Sequence, residues 1–195
     1  MDEARPGPAR SRRFTRREYD RLVEGGFFRE GDRVELLAGQ LMVAEPQGAR
    51  HLAAVHLAAD ALRRAFGDGW YVRVQGPIAL DDESEPEPDL AVVAGGPRDH
   101  AAAHPARPAL VVEVAEWSLA TDRRDKAGLY ARAGIADYWI VNLAESVLEV
   151  HRGPAPAAGA PHGFTYREVR RLPVGERVVP LAAPRAAVAI ADLVP

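Results

Sequence analysis

Apolar residues recur along this chain with two different periods, and each change of period marks an element. Thr15 to Glu18 has the spacing of a capping box, and Tyr19, Leu22 and Val23 give a short apolar face before Gly25-Gly26, which predicts a lead-in helix. Val34-Glu35-Leu36-Leu37 and Gln40-Leu41-Met42-Val43 then flank Ala38-Gly39 and read as a hairpin with Gly39 at its turn. Over residues 49–66, Leu52, Val55, Leu62 and Phe66 fall at helical spacing and Gly67 follows as a stop, so this is the longest expected helix. Residues 70–80, interrupted by Gly76-Pro77, and residues 89–94 read as two strands on either side of an acidic, proline-rich turn. Residues 95–108 read as a loop, and 109–115 as a short apolar run of the kind found in central strands. A helix is expected from Thr121 or Asp122 to Ala133, closed by Gly134, then a strand over 137–143 with a hairpin partner at 146–152. Residues 153–163 read as a loop, with weak short strands near 164–169 and 177–179.

The 195 residues, 47% hydrophobic and 27% charged, suit one domain with a sizeable core. We expect a flexible basic arm over 1–13, which carries Pro6, Pro8, Arg5, Arg10, Arg12 and Arg13, and a single domain over 14–195 with its core at about 48–143. The absence of cysteine excludes disulfide frameworks, thiolate metal sites and cysteine nucleophiles, and a reducing cytoplasm is the expected setting. No apolar run approaches the roughly 18 to 20 residues of a membrane span, so a soluble protein without a membrane partner is expected. A net charge of −3 argues against coating nucleic acid by bulk charge, so any such contact must be local. Lys126 is the only lysine beside 24 arginines. A position that keeps lysine against that bias is one where a compact point charge serves and a planar fork does not, unless it survives by chance.

Glu113 lies between Val112 and Val114 in an apolar run, where an ionised carboxylate costs several kcal/mol unless paired, hydrogen-bonded or bound to metal. Asp89 follows Pro88 at the entry of the preceding strand, so the two carboxylates can face each other. Such a pair repels unless a positive charge intervenes. A hard cation such as Mg²⁺ would supply it, and Lys126 on the next helix could orient or deprotonate a water or neutralise charge on a phosphate. The plainer alternatives are a core arginine paired with Glu113, a strand cap at Asp89 and a solvated Lys126. His51 and His56 are five residues apart and do not share a helix face, so neither is expected to be catalytic. Tyr138 and Trp139 read as core or sheet residues. Trp117, in a loop beside Glu113, is a candidate for stacking on a base. Ser118 could touch a phosphate, and Ser118 or Thr121 is expected to cap the following helix.

Pro88-Asp89 followed by Glu113-Val114-Ala115 resembles the PD-(D/E)xK nuclease signature. The stretch from Asp122 to Asn142, with Lys126, Tyr130, Gly134 and Tyr138-Trp139-Ile140-Val141, is similar to the Uma-type restriction endonuclease family, as are Val34-Glu35-Leu36 with Gly39 and His51 at the start of the long helix. The resemblance covers nearly the whole chain. It implies an α/β restriction-endonuclease-like fold: a three-layer core with a central mixed β-sheet flanked by helices, an N-terminal helix and β-hairpin, and a C-terminal β extension. It implies Mg²⁺, with Mn²⁺ able to substitute, held by Asp89, Glu113 and a main-chain carbonyl near Val114, and hydrolysis of the phosphodiester bonds of DNA. The superfamily lysine usually stands two residues beyond the glutamate. Here that residue is Ala115, so the role passes to Lys126. Glu35 resembles an additional acidic residue that binds the metal directly or through water, its alternative being an edge-strand salt bridge. Where the family has Ser-Pro-Ser/Thr, this chain has Glu116-Trp117-Ser118-Leu119-Ala120-Thr121, which lacks the proline. The expected function is a metal-dependent endodeoxyribonuclease with Arg123, Arg124, Trp117 and Ser118 on the DNA, and a homodimer would serve the two strands of a duplex. The alternative is a catalytically inactive module of the same fold that binds nucleic acid or protein. A carboxylate-pair hydrolase acting on sugars is disfavoured by an aromatic content of 7%.

Overall fold

The capping box at Thr15 forms as its spacing predicts. Its hydroxyl accepts from the Glu18 N–H at 3.3 Å and Glu18 accepts from the Thr15 N–H at 3.0 Å, which starts α1 (Arg16–Glu24). The computed structural model describes residues 11–29, 31–44 and 47–195, so most of the expected arm lies outside the described residues. At its end Arg13 donates to the Ala38 carbonyl and pairs with Glu83 at 2.8 Å. Tyr19 packs with Val34 and Leu36 and donates its hydroxyl to the Val34 carbonyl at 2.6 Å, which ties α1 to the hairpin of β1 (Val34–Leu37) and β2 (Gln40–Val43). Ala38 and Gly39, at φ of 47° and 79°, are both left-handed, as the twist of a two-residue hairpin turn requires. Backbone bonds from Leu36 and Gly39 to residues 83–85 stitch the hairpin to the body.

α2 (Ala49–Phe66) buries Val55, Ala58, Ala59, Leu62 and Phe66 against one face of the central sheet, while Leu52, expected on that face, is exposed. The sheet has six strands in the order β3 (Trp70–Val74), β4 (Leu90–Ala94), β5 (Leu110–Ala115), β6 (Asp137–Asn142), β7 (Val147–Pro156) and β8 (Phe164–Pro173). β5 and β6 run parallel and the other pairs antiparallel, so the sheet is mixed. Alternation sorts its side chains. Leu90, Val92, Val112, Val114, Trp139 and Val141 join the α2 layer, and Ala91, Val111, Tyr138 and Ile140 join the opposite one.

That opposite layer is the crossover between the two parallel strands. It consists of α3 (Leu119–Thr121), a π-helical stretch over Asp122–Lys126 and α4 (Ala127–Arg132), which packs Ala127, Tyr130 and Ala131 on the sheet. The helix therefore starts before Thr121 and changes its winding, which apolar spacing alone does not reveal. The loop expected from 153 is strand as far as Pro156. β6 pairs β7 only up to Arg152, so Pro154 and Pro156 face no missing partner on that side and pair with β8 on the other. The C-terminal extension is a two-stranded sheet of β9 (Arg177–Val178) and β10 (Val188–Ala189), the second of which the sequence reading missed; Val178, Val188, Ile190 and Leu193 close the α2 layer. Among the described residues no helix is long and apolar enough to cross a membrane.

Candidate active site

Pairing of Leu90 with Val112 sets Asp89 opposite Glu113, and the Asp89 N–H points at Glu113 Oε2 from 3.4 Å. Strand alternation turns Glu113 to the side of Val111 and Ala115, under the crossover helix. There Glu113 Oε1 accepts from Lys126 Nζ at 3.1 Å and from the Tyr130 hydroxyl at 2.7 Å. Lys126 ends the π-helical stretch and also lies 3.4 Å from Glu35 Oε1 of the hairpin. Glu35 Oε2 accepts from the Glu87 N–H at 3.0 Å. The structure thus brings together Asp89, Glu113, Lys126 and Glu35. All four border a cavity of about 330 Å³ that also exposes Val114 and Trp117.

Asp89 is the most heavily held of these groups. Its Oδ2 accepts from the Val114 N–H at 2.8 Å, while Oδ1 faces His51 Nε2 at 3.1 Å, Gln47 Nε2 at 3.2 Å and Gln75 Nε2 at 3.4 Å. Sequence reasoning set His51 aside and did not single out Gln47 or Gln75. His51 brings its first-turn imidazole from α2, and its place at the start of that helix was the only signal for it. Asp122, also missed, is buried four residues before Lys126 and accepts from the Ser118 hydroxyl at 2.6 Å.

Burial raises the Glu113 carboxyl well above the usual carboxylate range, Lys126 opposing it and Asp122 and Asp89 adding to it. Burial likewise pushes Asp122 up to about 6. For Lys126, burial acts to discharge the ammonium, but Glu113, Glu35 and Asp122 outweigh it and keep the charge. Asp89 also resists its burial, because the His51 and Val114 hydrogen bonds and Lys126 hold it below its ordinary value.

Among the described residues lining the cavity, six are Asp or Glu and two are Lys or Arg. That excess of oxygen donors and negative charge fits a hard divalent cation that keeps much of its water. Among the described residues no three His, Asp or Glu side chains converge closely enough to hold an ion by themselves. Two carboxylates, with main-chain oxygen and water, are the donors these residues could offer such an ion.

The remaining expected residues separate. Trp117 is 84% exposed at the cavity mouth. Ser118 lines the cavity but does not cap the helix: its backbone is already helical and its hydroxyl turns to Asp122, and Thr121 does not cap it either. Arg123 leaves the cavity wall for Glu149, donating from Nε at 2.9 Å, and Arg124 is exposed outside the lining.

A crystal structure titled as a "putative nuclease belonging to DUF820" from Anabaena variabilis is similar to this chain, with a TM-score of 0.61 and 17% identity over 88% of this chain and 96% of that one. The likeness shows a shared fold. No curated protein matches. The family model Uma2, described as "Putative restriction endonuclease", matches residues 16–190, which include both strands of the carboxylate pair, the hairpin of Glu35 and the helix of Lys126. The chain belongs to the Uma2 family.

Proposed function

We propose that this protein is a metal-dependent endonuclease that hydrolyses phosphodiester bonds of DNA. The observation that carries the reading is the buried pair Asp89 and Glu113, the latter accepting from Lys126, on the wall of an open, acid-lined cavity. In this reading Asp89, Glu113 and the main-chain carbonyl of Val114 hold Mg²⁺, or Mn²⁺ in its place, and Glu35 contributes directly or through water. When bound, such an ion neutralises charge on a phosphate and makes water a stronger nucleophile.

The other groups act by position. Lys126, with Glu113 and Glu35 on its ammonium, is a hydrogen-bond donor that orients the attacking water and offsets charge developing on the phosphate oxygens. Tyr130 holds the Glu113 carboxylate from behind. Trp117 offers an aromatic face to a base, Ser118 and Arg124 lie close enough in sequence to serve the same stretch of DNA, and Arg123 acts through its pairing with Glu149, which braces the crossover helix. A homodimer would bring a second cavity to the second strand.

The saturation of Asp89 and Glu113 by protein donors favours one second reading, a non-catalytic module whose carboxylates serve the fold. One experiment separates the two. Purified protein is incubated with supercoiled, linear and branched DNA in Mg²⁺, Mn²⁺ or EDTA, beside Glu113→Ala prepared identically. Metal-dependent cutting lost in the variant supports the nuclease, and no cutting on any substrate supports the module.

A further inference from the structure

One oxygen of Asp89 faces three side chains from two separate chain segments: Gln47 and His51 at the entry and first turn of α2, and Gln75 just past β3. A carboxylate oxygen offers two lone-pair sites, so three donors more than fill it and fix where the carboxylate points. The side chains are also ordered among themselves. Gln75 Nε2 donates to Gln47 Oε1 at 2.7 Å, which turns the amino group of Gln47 toward Asp89.

The backbone at Gln75 argues in the same direction. Gln75 has a φ of 48°, in the left-handed region where glycine is the ordinary choice. Its N–H still donates to the Asp89 carbonyl at 2.9 Å, so the turn brings the Gln75 side chain back over the residue its main chain pairs with. Glycine would form this turn with less strain, and what it would lose is the amide. Strain of this kind persists where the surroundings over-determine it, as they do around a working site.

From this geometry we infer that Gln47, His51 and Gln75 are positioning residues, a clamp that orients Asp89 for a divalent cation and so sets the affinity of the site. The inference rests on the metal-binding reading above and adds three residues to it. Groups that hydrogen-bond a metal ligand from outside commonly change metal affinity about 10- to 100-fold when removed.

The deciding variant is Gln75→Gly, which suits the observed φ and deletes the amide. Its melting temperature and its Mn²⁺ affinity, the latter by titration calorimetry, are compared with those of the wild type. The expected result is an unchanged or higher melting temperature with Mn²⁺ binding weakened about 10-fold or more. Gln47→Ala removes the second amide without touching the turn and should weaken binding in the same direction. Wild-type Mn²⁺ affinity in both variants overturns the clamp alone. If the wild type binds no Mn²⁺ that Asp89→Asn abolishes, the metal reading falls and the clamp with it.

Discussion

Lys126 meets Glu113 from a helix: its Nζ stands 3.1 Å from Glu113 Oε1, thirteen residues further along the chain. The strand position two residues beyond Glu113 is Ala115, buried beneath the crossover helix. The ammonium therefore enters from above the sheet, between Glu113 and the hairpin residue Glu35, and joins two structural units at one charge.

Replacing Lys126 by methionine should lower the cleavage rate about 10²- to 10⁴-fold, the range for loss of a positioned proton-handling or charge-stabilising group. It should also change the response to pH. Burial raises the folded-state values of Glu113 and Asp122, so their contribution to stability is present at acid pH and is lost as pH rises through those values. Without the ammonium both rise further, and Lys126→Met should lose more stability than the wild type between pH 5 and pH 8. Cleavage assays well below the melting temperature, with melts at both pH values, check the two effects separately. Cleavage at the wild-type rate would remove Lys126 from the mechanism.

Glu85, which does not line the cavity, gives a second pH dependence. It is 4% exposed where the hairpin is stitched to the body, and burial pushes its carboxyl up to about 7 from 4.5. Since the folded value lies above the unfolded one, the folded state binds more protons between those values, and stability falls as pH rises from 4.5 to 7. Glu85→Gln removes that slope. Denaturant titrations at pH 5 and pH 8 should show the variant gaining on the wild type at the higher pH, and parallel behaviour of the two proteins would contradict it.

Asp137 is fully buried and accepts from Trp139 Nε1 at 2.8 Å, from Arg152 Nε at 2.8 Å and from the Leu181 N–H at 2.9 Å. Arg152→Met leaves this carboxylate without its cation and should destabilise the fold by about 3–5 kcal/mol. Urea unfolding measures it, and a loss below about 1 kcal/mol would mean that Trp139 and Leu181 suffice.

Trp117→Ala should leave stability within about 0.5 kcal/mol, because the side chain is exposed. If Trp117 stacks on a base, KM for DNA should rise by a factor corresponding to about 1–3 kcal/mol, with kcat little changed. Steady-state kinetics with Trp117→Phe as the conservative control test this. An unchanged KM in the alanine variant would mean that no base rests there.

The carboxylate pair was legible because burial made it anomalous: a glutamate inside an apolar strand demands a partner, and a solitary lysine among arginines was the partner at hand. The architecture was legible for a related reason, since strands covered on both faces and a long helix with an alanine-rich face leave plain periodic traces. Gln47, His51 and Gln75 left none. They sit at the ends of elements, where glutamine and histidine are ordinary, and although Gly76-Pro77 announced a break in the strand, the left-handed position there is Gln75 itself, not a glycine or asparagine. Asp122 was hidden by the π winding, which alters the spacing by which a buried helical face is recognised. The full length of β7 was hidden by prolines that usually mark loops and are tolerated here because one edge of the strand is free.

The stitching of the hairpin to residues 83–85 means that the cavity is assembled from two separately built parts. A fragment starting at residue 48 would retain all six sheet strands and both strand carboxylates, yet it would lack one wall and one of the two acids in direct ion pairs with Lys126. Exchanging the hairpin between relatives would therefore retune the site's charge while leaving the sheet intact, and the hairpin is where variants of altered cation or substrate preference should be sought.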